Sequence, residues 1–312
     1  MSLSSTVKQR APQKQSPLAD SRALVVTLGD PAGIGPEVIE KALEVFRAEH
    51  PQVPVQILGS TRGVKPGRPS LRGARMALEA LHSSADQARA GSVRAIINGP
   101  VHKGGLIKLG FTFPGQTEFY ARNFGLPADA VSMLMTAPRL TVGLVTTHCS
   151  LRSAIRKLSL ERVVSTAVRL NDFLRLRGIR SPRLALAALN PHAGEEGAFG
   201  NEEETLLKPA LQQMKRQALS VSGPVPADSV FMAARNGKFD GVIALYHDQG
   251  LIPFKLLCFD TGVNVTAGLP VWRMSPDHGT AFDIAGTGQA DASSMLEAFR
   301  LAVHLTESSP DQ

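Results

Sequence analysis

Short apolar runs alternate with helix-length amphipathic segments along almost the whole chain. "ALVVTLG" (23–29), "VPVQILG" (53–59), "VRAIING" (93–99), "AVSMLMT" (130–136), "LTVGLVTT" (140–147), "RLALAALN" (183–190) and "GVIAL" (241–245) have the length and apolar content of buried strands. Between them the apolar spacing predicts helices over about 36–48, 71–90, 159–177, 202–217, 227–236 and 291–304. Pro36 at a first helical position, with Glu37 beside it, suits the free amides and positive dipole end of the first helix. This alternation predicts an α/β fold with a largely parallel sheet, and no internal repeat interrupts it. A second domain is expected in the middle of the chain, with no linker to mark its borders.

Three of the strand-like runs end in the same way. "VGLVTTH" runs out at His148, "RLALAALNPH" at His192, and "GVIALYH" at His247, which is followed by Asp248, Gln249 and a turn expected at Gly250. A single histidine in such a place usually satisfies nearby backbone groups. Three of the chain's eight, placed alike, point instead to a shared site, because ligands gather at the carboxyl ends of parallel strands. Three imidazoles with an open position suit a divalent metal able to polarise a hydroxyl or carbonyl.

Charge and composition narrow the reading. The net charge of +7 is concentrated in residues 1–22 and in the acid-free basic stretch 60–75, so the rest of the chain is close to neutral. With only 5% aromatic residues, stacking platforms for nucleic acid are not evident, and no nucleic-acid partner is expected. No apolar run approaches the length of a membrane span, and the polar residues 1–22 lack a secretory hydrophobic block and read as a disordered tail. Cys149 and Cys258 are too few for a disulfide framework, which suits a cytoplasmic location. Cys149 follows His148, yet a lone cysteine is more often a small buried hydrophobe than a nucleophile or metal ligand.

Further polar groups belong in the same picture. Gly29, Gly33 and Gly35 of "GDPAGIGPE" mark a strand-to-helix turn that either holds an anion on its amides or simply turns tightly, without the full dinucleotide fingerprint. Thr117 of "PGQTEFYARNFG" stands at a helix start, able to cap it or to contact a ligand. Arg273 offers a planar fork for carboxylate or phosphate and Lys255 a point charge; with Asn264 they can form a clamp for an anionic substrate.

In order, "TLGDPAGIGPE", "GQTEF", "VTTHCSLR", "LNPHAGE", "PADSVF", "YHDQGLIPFK" and "RMSPDHGTAFDIAGTG" resemble the 4-hydroxythreonine-4-phosphate dehydrogenase (PdxA) family from about Val25 to Leu305. "DHGTAFDIAGTG" is also similar to a segment of isocitrate and isopropylmalate dehydrogenases. The resemblance implies their non-Rossmann fold, two interleaved α/β subdomains within 23–312 enclosing a cleft. It makes His148, His192 and His247 the ligands of one divalent ion (zinc, magnesium or cobalt) and places Gln116, Thr117, Lys255, Asn264 and Arg273 at the substrate. Asp228 and Asp248 become candidate proton-transfer groups.

The implied reaction is NAD- or NADP-dependent oxidation of 4-phosphohydroxy-L-threonine, with decarboxylation to 3-amino-2-oxopropyl phosphate, in pyridoxal phosphate biosynthesis. A homodimer with active sites shared between subunits, His247 crossing to the partner, follows as well. The family's G-H-T-E reads Gly115-Gln116-Thr117-Glu118 here, replacing a titratable ring by a neutral amide. The stretch between Gly59 and Leu71 is shorter than in typical members. A paralogous dehydrogenase acting on threonate or erythronate phosphate, or on a dihydrodiol, is the alternative. A metal-dependent hydrolase and a basic nucleic-acid-binding protein are the rivals from other classes.

Overall fold

The computed structural model describes residues 21–308; residues 1–20, most of the tail expected to be disordered, lie outside the described residues. The first strand, β1 (Ala23–Thr27), lies between β2 (Val55–Leu58) and β3 (Val93–Asn98), all parallel. At the other end β5 (Leu140–Leu144), β8 (Gly241–Ala244), β6 (Arg183–Ala187) and β7 (Ser220–Val225) are parallel neighbours in that order. Between the two groups run β10 (Trp272–Pro276), β9 (Val263–Ala267) and β4 (Ser132–Ala137). The pairings β10–β9, β9–β4 and β4–β5 are antiparallel, so the ten-stranded sheet is parallel at its flanks and antiparallel at its centre. The late strands β9 and β10 thus return to lie between the early and middle parts of the chain.

Alternation along the strands divides the core by face. Leu24, Val26, Ile97, Leu134, Leu186 and Ile243 point into one continuous layer. It is covered by α1 (Gly35–Glu49), α6 (Leu160–Leu176), α7 (Lys208–Arg216) and α10 (Ser293–Ser308). Their neighbours on the opposite face fall into two separate cores. Val25 and Ile96 pack under α2 (Leu71–Arg89) and α4 (Gln116–Asn123), whereas Met133, Ala185 and Val242 pack under α8 (Ala227–Arg235) and α9 (His247–Cys258). Side-chain caps start two of these helices: Ser70 Oγ accepts from Gly73 N at 3.1 Å and Ser159 Oγ from Arg162 N at 3.3 Å.

Several local expectations need correction. The chain does not turn at Gly250, which lies inside α9 and is buried; a Cβ there would stand 2.7 Å from Leu144 Cδ2 and 3.1 Å from Ala244 Cβ. The glycine is needed for close helix-to-sheet approach. Glu37 does more than face the α1 dipole: it pairs with Lys41 and accepts from Gly286 N and Ala290 N, fastening the 286–290 loop to α1. The Gly29–Gly35 turn has few amides left for an anion, since those of Asp30, Gly33 and Ile34 go to Pro100 O, Asp30 O and Thr280 O. Its glycines serve contact, a Cβ on Gly29 meeting Pro100 O at 2.1 Å and one on Gly35 meeting Leu28 O at 2.2 Å. Cys149 is half-buried, less than the buried hydrophobe expected there, whereas Cys258 is buried.

Candidate active site

The three histidines leave the carboxyl ends of β5, β8 and β6, which are adjacent parallel strands. Polar clamps hold those ends in register. Thr146 Oγ1 donates to Leu245 O at 2.8 Å, joining the β5 and β8 exits. Gln249, buried in the first turn of α9, accepts from Leu245 N at 2.6 Å and donates to Ala188 O at 2.7 Å, joining the β8 and β6 exits. Glu203 accepts from Leu189 N and Asn190 N and from the Asn190 side chain, all at 2.8 Å. Burial alone would raise the Glu203 carboxyl, but these Asn190 and Leu189 donors outweigh it and hold it below the usual range.

His148 and His247 meet, their ring centroids 5.8 Å apart. Each has its Nδ1 turned to a carboxylate: Glu118 Oε1 lies 3.5 Å from His148, and Asp248 Oδ1 lies 2.7 Å from His247. The Nε2 atoms then face away from the carboxylates, an arrangement that in metal sites orients a ligating imidazole. His192 stands apart, its ring centroid 6.0 Å from that of Phe199, in a run from His192 to Glu196 with positive φ throughout. Among the described residues no group of three or more His, Cys, Asp or Glu is close enough to hold a metal. One chain therefore brings two imidazoles together, a donor type that suits a divalent cation, with a third histidine on the neighbouring strand end. Beside the pair is a cavity of about 550 Å³ lined by Lys103, His148, Cys149, Tyr246, His247 and Asp248.

A second polar cluster surrounds Arg273, two residues of α4 away from the Glu118 contact with His148. Arg273 on β10 is 2% exposed, not the solvated charge such a residue usually is. Its Nε donates to Asn98 Oδ1 at 2.7 Å, its Nη2 donates to Gln116 Oε1 at 2.8 Å, and its guanidinium lies 5.8 Å from the Tyr120 ring centre. Burial lowers its pKa to about 10, against the favourable charges of Tyr120 and Glu118. Thr117 Oγ1 bonds Thr266 Oγ1 at 3.0 Å, and Asn264 Oδ1 is buried without a hydrogen-bond partner. Lys255 Nζ is 3.0 Å from Asp277 Oδ1 and donates to Asp277 O at 3.1 Å. Asp228, by contrast, is exposed in the first turn of α8 and touches none of these groups.

The chain as a whole has counterparts among known proteins. The family profile described as "Pyridoxal phosphate biosynthetic protein PdxA" matches residues 19–302. The chain belongs to the PdxA family. A 4-hydroxythreonine-4-phosphate dehydrogenase of Erythrobacter litoralis is 40% identical over 90% of this chain and 96% of its own. A protein of Oceanobacillus iheyensis named putative D-threonate 4-phosphate dehydrogenase is 37% identical over the same shares. Among solved structures, the 4-hydroxythreonine-4-phosphate dehydrogenase of Klebsiella pneumoniae superposes with a TM-score of 0.75 at 37% identity, covering 92% of this chain and 99% of that one. Isocitrate dehydrogenase from Methylococcus capsulatus, 14% identical, superposes with a TM-score of 0.57 over 90% or more of this chain (93%) and 88% of its own, which bears out the expected fold.

Three residues of this PdxA-family site escaped the sequence reading: Glu118, Asn98 and Asp277. Glu118 lay within a quoted motif, and its place one residue after Thr117 on a helix start was the available signal. Burial would raise its carboxyl, but His148 and Thr147 outweigh this and keep it below the usual range. Asn98 ends β3, and its position beside β10 is set by a crossover no local pattern reveals. Asp277 has its pKa raised by burial despite Lys255 beside it. No described helix is long and apolar enough to cross a membrane.

Proposed function

We propose that this PdxA-family chain is an NAD- or NADP-dependent dehydrogenase of 4-phosphohydroxy-L-threonine. It oxidises the secondary alcohol to a β-keto acid, whose loss of carbon dioxide gives 3-amino-2-oxopropyl phosphate for pyridoxal phosphate biosynthesis. The observation that carries this reading is the buried Arg273 fork, held by Asn98 and Gln116, with Glu118 two residues beyond Gln116 against the strand-end His148. A desolvated guanidinium fixed by neutral groups keeps its charge available for a carboxylate or phosphate.

Arg273, Lys255, Asn264, Gln116 and Thr117 bind and orient the substrate anions in this reading. His148, His192 and His247 hold a divalent cation, and imidazole donors suit zinc or cobalt better than magnesium. The chemistry such a cation supplies when bound is polarisation of an alcohol or carbonyl oxygen, and that of a nicotinamide is acceptance of a hydride. Asp248 orients His247 and stands within reach of a proton leaving the site, whereas Asp228 reaches it only if a second copy brings it near. The active unit is a homodimer with shared sites.

A substrate panel with NAD and NADP tests the reading. Reduced nicotinamide should form with 4-phosphohydroxy-L-threonine in a metal-dependent way, a strong chelator should abolish it, and a divalent ion should restore it. Preference for threonate or erythronate 4-phosphate would transfer the chain to the paralogous activity, to which the neutral Gln116 lends weight. Metal-dependent hydrolysis without nicotinamide turnover would overturn the dehydrogenase reading altogether.

A further inference from the structure

We propose that Glu118 is the positioning residue of His148 as a metal ligand, fixing its ring from the first turn of α4. The inference rests on the reading of His148 as a metal ligand and adds a residue to it. Glu118 Oε1 is 3.5 Å from His148 Nδ1, and Thr147 Oγ1 donates to that same oxygen at 3.1 Å, so the carboxylate is itself held. Its second oxygen, Oε2, is buried with no hydrogen-bond partner. The neighbouring backbone is shaped to admit the contact. A Cβ on Gly115 would stand 2.8 Å from His148 Cε1 and 3.0 Å from Glu118 Oε2, so only glycine lets the ring lie against the helix start.

The turn that carries Glu118 is anchored from both sides. Gln116 accepts from Arg273 on β10 and Thr117 bonds Thr266 on β9, so the carboxylate is presented by a fixed piece of backbone. With Nδ1 facing the carboxylate, the ring can offer only Nε2 to a cation, and a negative partner makes that nitrogen a better donor. Asp248 does the corresponding service for His247, but from an exposed position, its side chain 71% accessible against 17% for Glu118. The buried member of the two is the one expected to matter for affinity, because water screens it less.

The test is titration of the metal-stripped full chain with Co²⁺, following the visible absorption of the bound ion and the thermal midpoint of each variant. Glu118→Ala should weaken Co²⁺ binding about 10- to 100-fold and alter the absorption band, as loss of an outer-shell carboxylate does. Glu118→Gln keeps an acceptor oxygen in the same shape, so it should weaken binding less, in the same direction, and preserve the band. His148→Ala is the reference for ligation. Wild-type affinity and band in folded Glu118→Ala, with binding lost in His148→Ala, would overturn the positioning role alone. If His148→Ala binds Co²⁺ as the wild type does, the ligand assignment fails and the positioning role falls with it.

Discussion

Arg273 and Glu203 show how much a single buried charge depends on neutral or backbone partners. Lysine at 273 keeps the charge but cannot reach Asn98 Oδ1 and Gln116 Oε1 from one planar group. Arg273→Lys should therefore lower kcat/KM for the phosphorylated substrate by about 100-fold, within the range for disrupted buried charge contacts, while nicotinamide binding measured separately stays nearly constant. Comparable losses in both would place Arg273 outside the substrate site. Glu203 is 1% exposed and holds the loop leading to His192. Glu203→Gln should destabilise the chain by about 1–3 kcal/mol at neutral pH in chemical denaturation. Because the folded pKa is depressed, this stabilisation is present above the ordinary glutamate range and is lost as pH falls through the folded value. The gap between wild type and variant should consequently narrow on acidification; a gap that widens would contradict the assignment. Arg273 stood out in the sequence as a candidate anion group from its type and motif, but its burial was not legible, since Asn98 lies 175 positions away in sequence.

Elements were legible where apolar periodicity was strong and hidden where polar function interrupts it. The strand preceding each histidine and the long α6 were plain in the pattern. The helix α9 was not, because His247, Asp248, Gly250 and Pro253 are poor interior helix residues clustered in its first turns. Tertiary packing overrides that propensity: Gln249 bonds two strand exits, and Gly250 sits flush on the sheet. Gly250→Ala therefore tests the element. The helix interior would favour alanine by about 1 kcal/mol, but its Cβ would meet Val142 Cγ1 at 2.9 Å and Leu144 Cδ2 at 2.7 Å. Overpacking should win, lowering stability by about 1–3 kcal/mol and weakening metal binding by shifting His247. A more stable variant with unchanged metal affinity would show that α9 is free to move outward. The antiparallel centre was likewise hidden: β4 stood out as an apolar run, but no strand was expected over β9 or β10, and no local run shows the direction of its partner.

At the scale of the whole molecule, one chain brings His148 and His247 together but forms no three-ligand group among its described residues. The sequence showed which histidines leave neighbouring strand ends; in the proposed dimer, which of them act together would be set by a second copy, about which local pattern is silent. The family resemblance implies a composite site, His148 and His192 from one subunit and His247 from its partner, repeated twice by the symmetry of the dimer. Mixing inactive His148→Ala and His247→Ala proteins under demonstrated subunit exchange tests this directly. In a mixed dimer one site then inherits both lesions and the other inherits neither. Random exchange makes about half the dimers mixed, so about a quarter of wild-type sites should recover, read as nicotinamide turnover and as bound Co²⁺. The 5.8 Å contact within one chain supports a different pairing, in which His148 and His247 act together and His192 crosses. That arrangement gives no recovery from this mixture, yet restores about a quarter of sites when His148→Ala is mixed with His192→Ala. Recovery in the first mixture and none in the second is the expected result; the reverse would make His192 the crossing ligand, and none in either would reject shared sites.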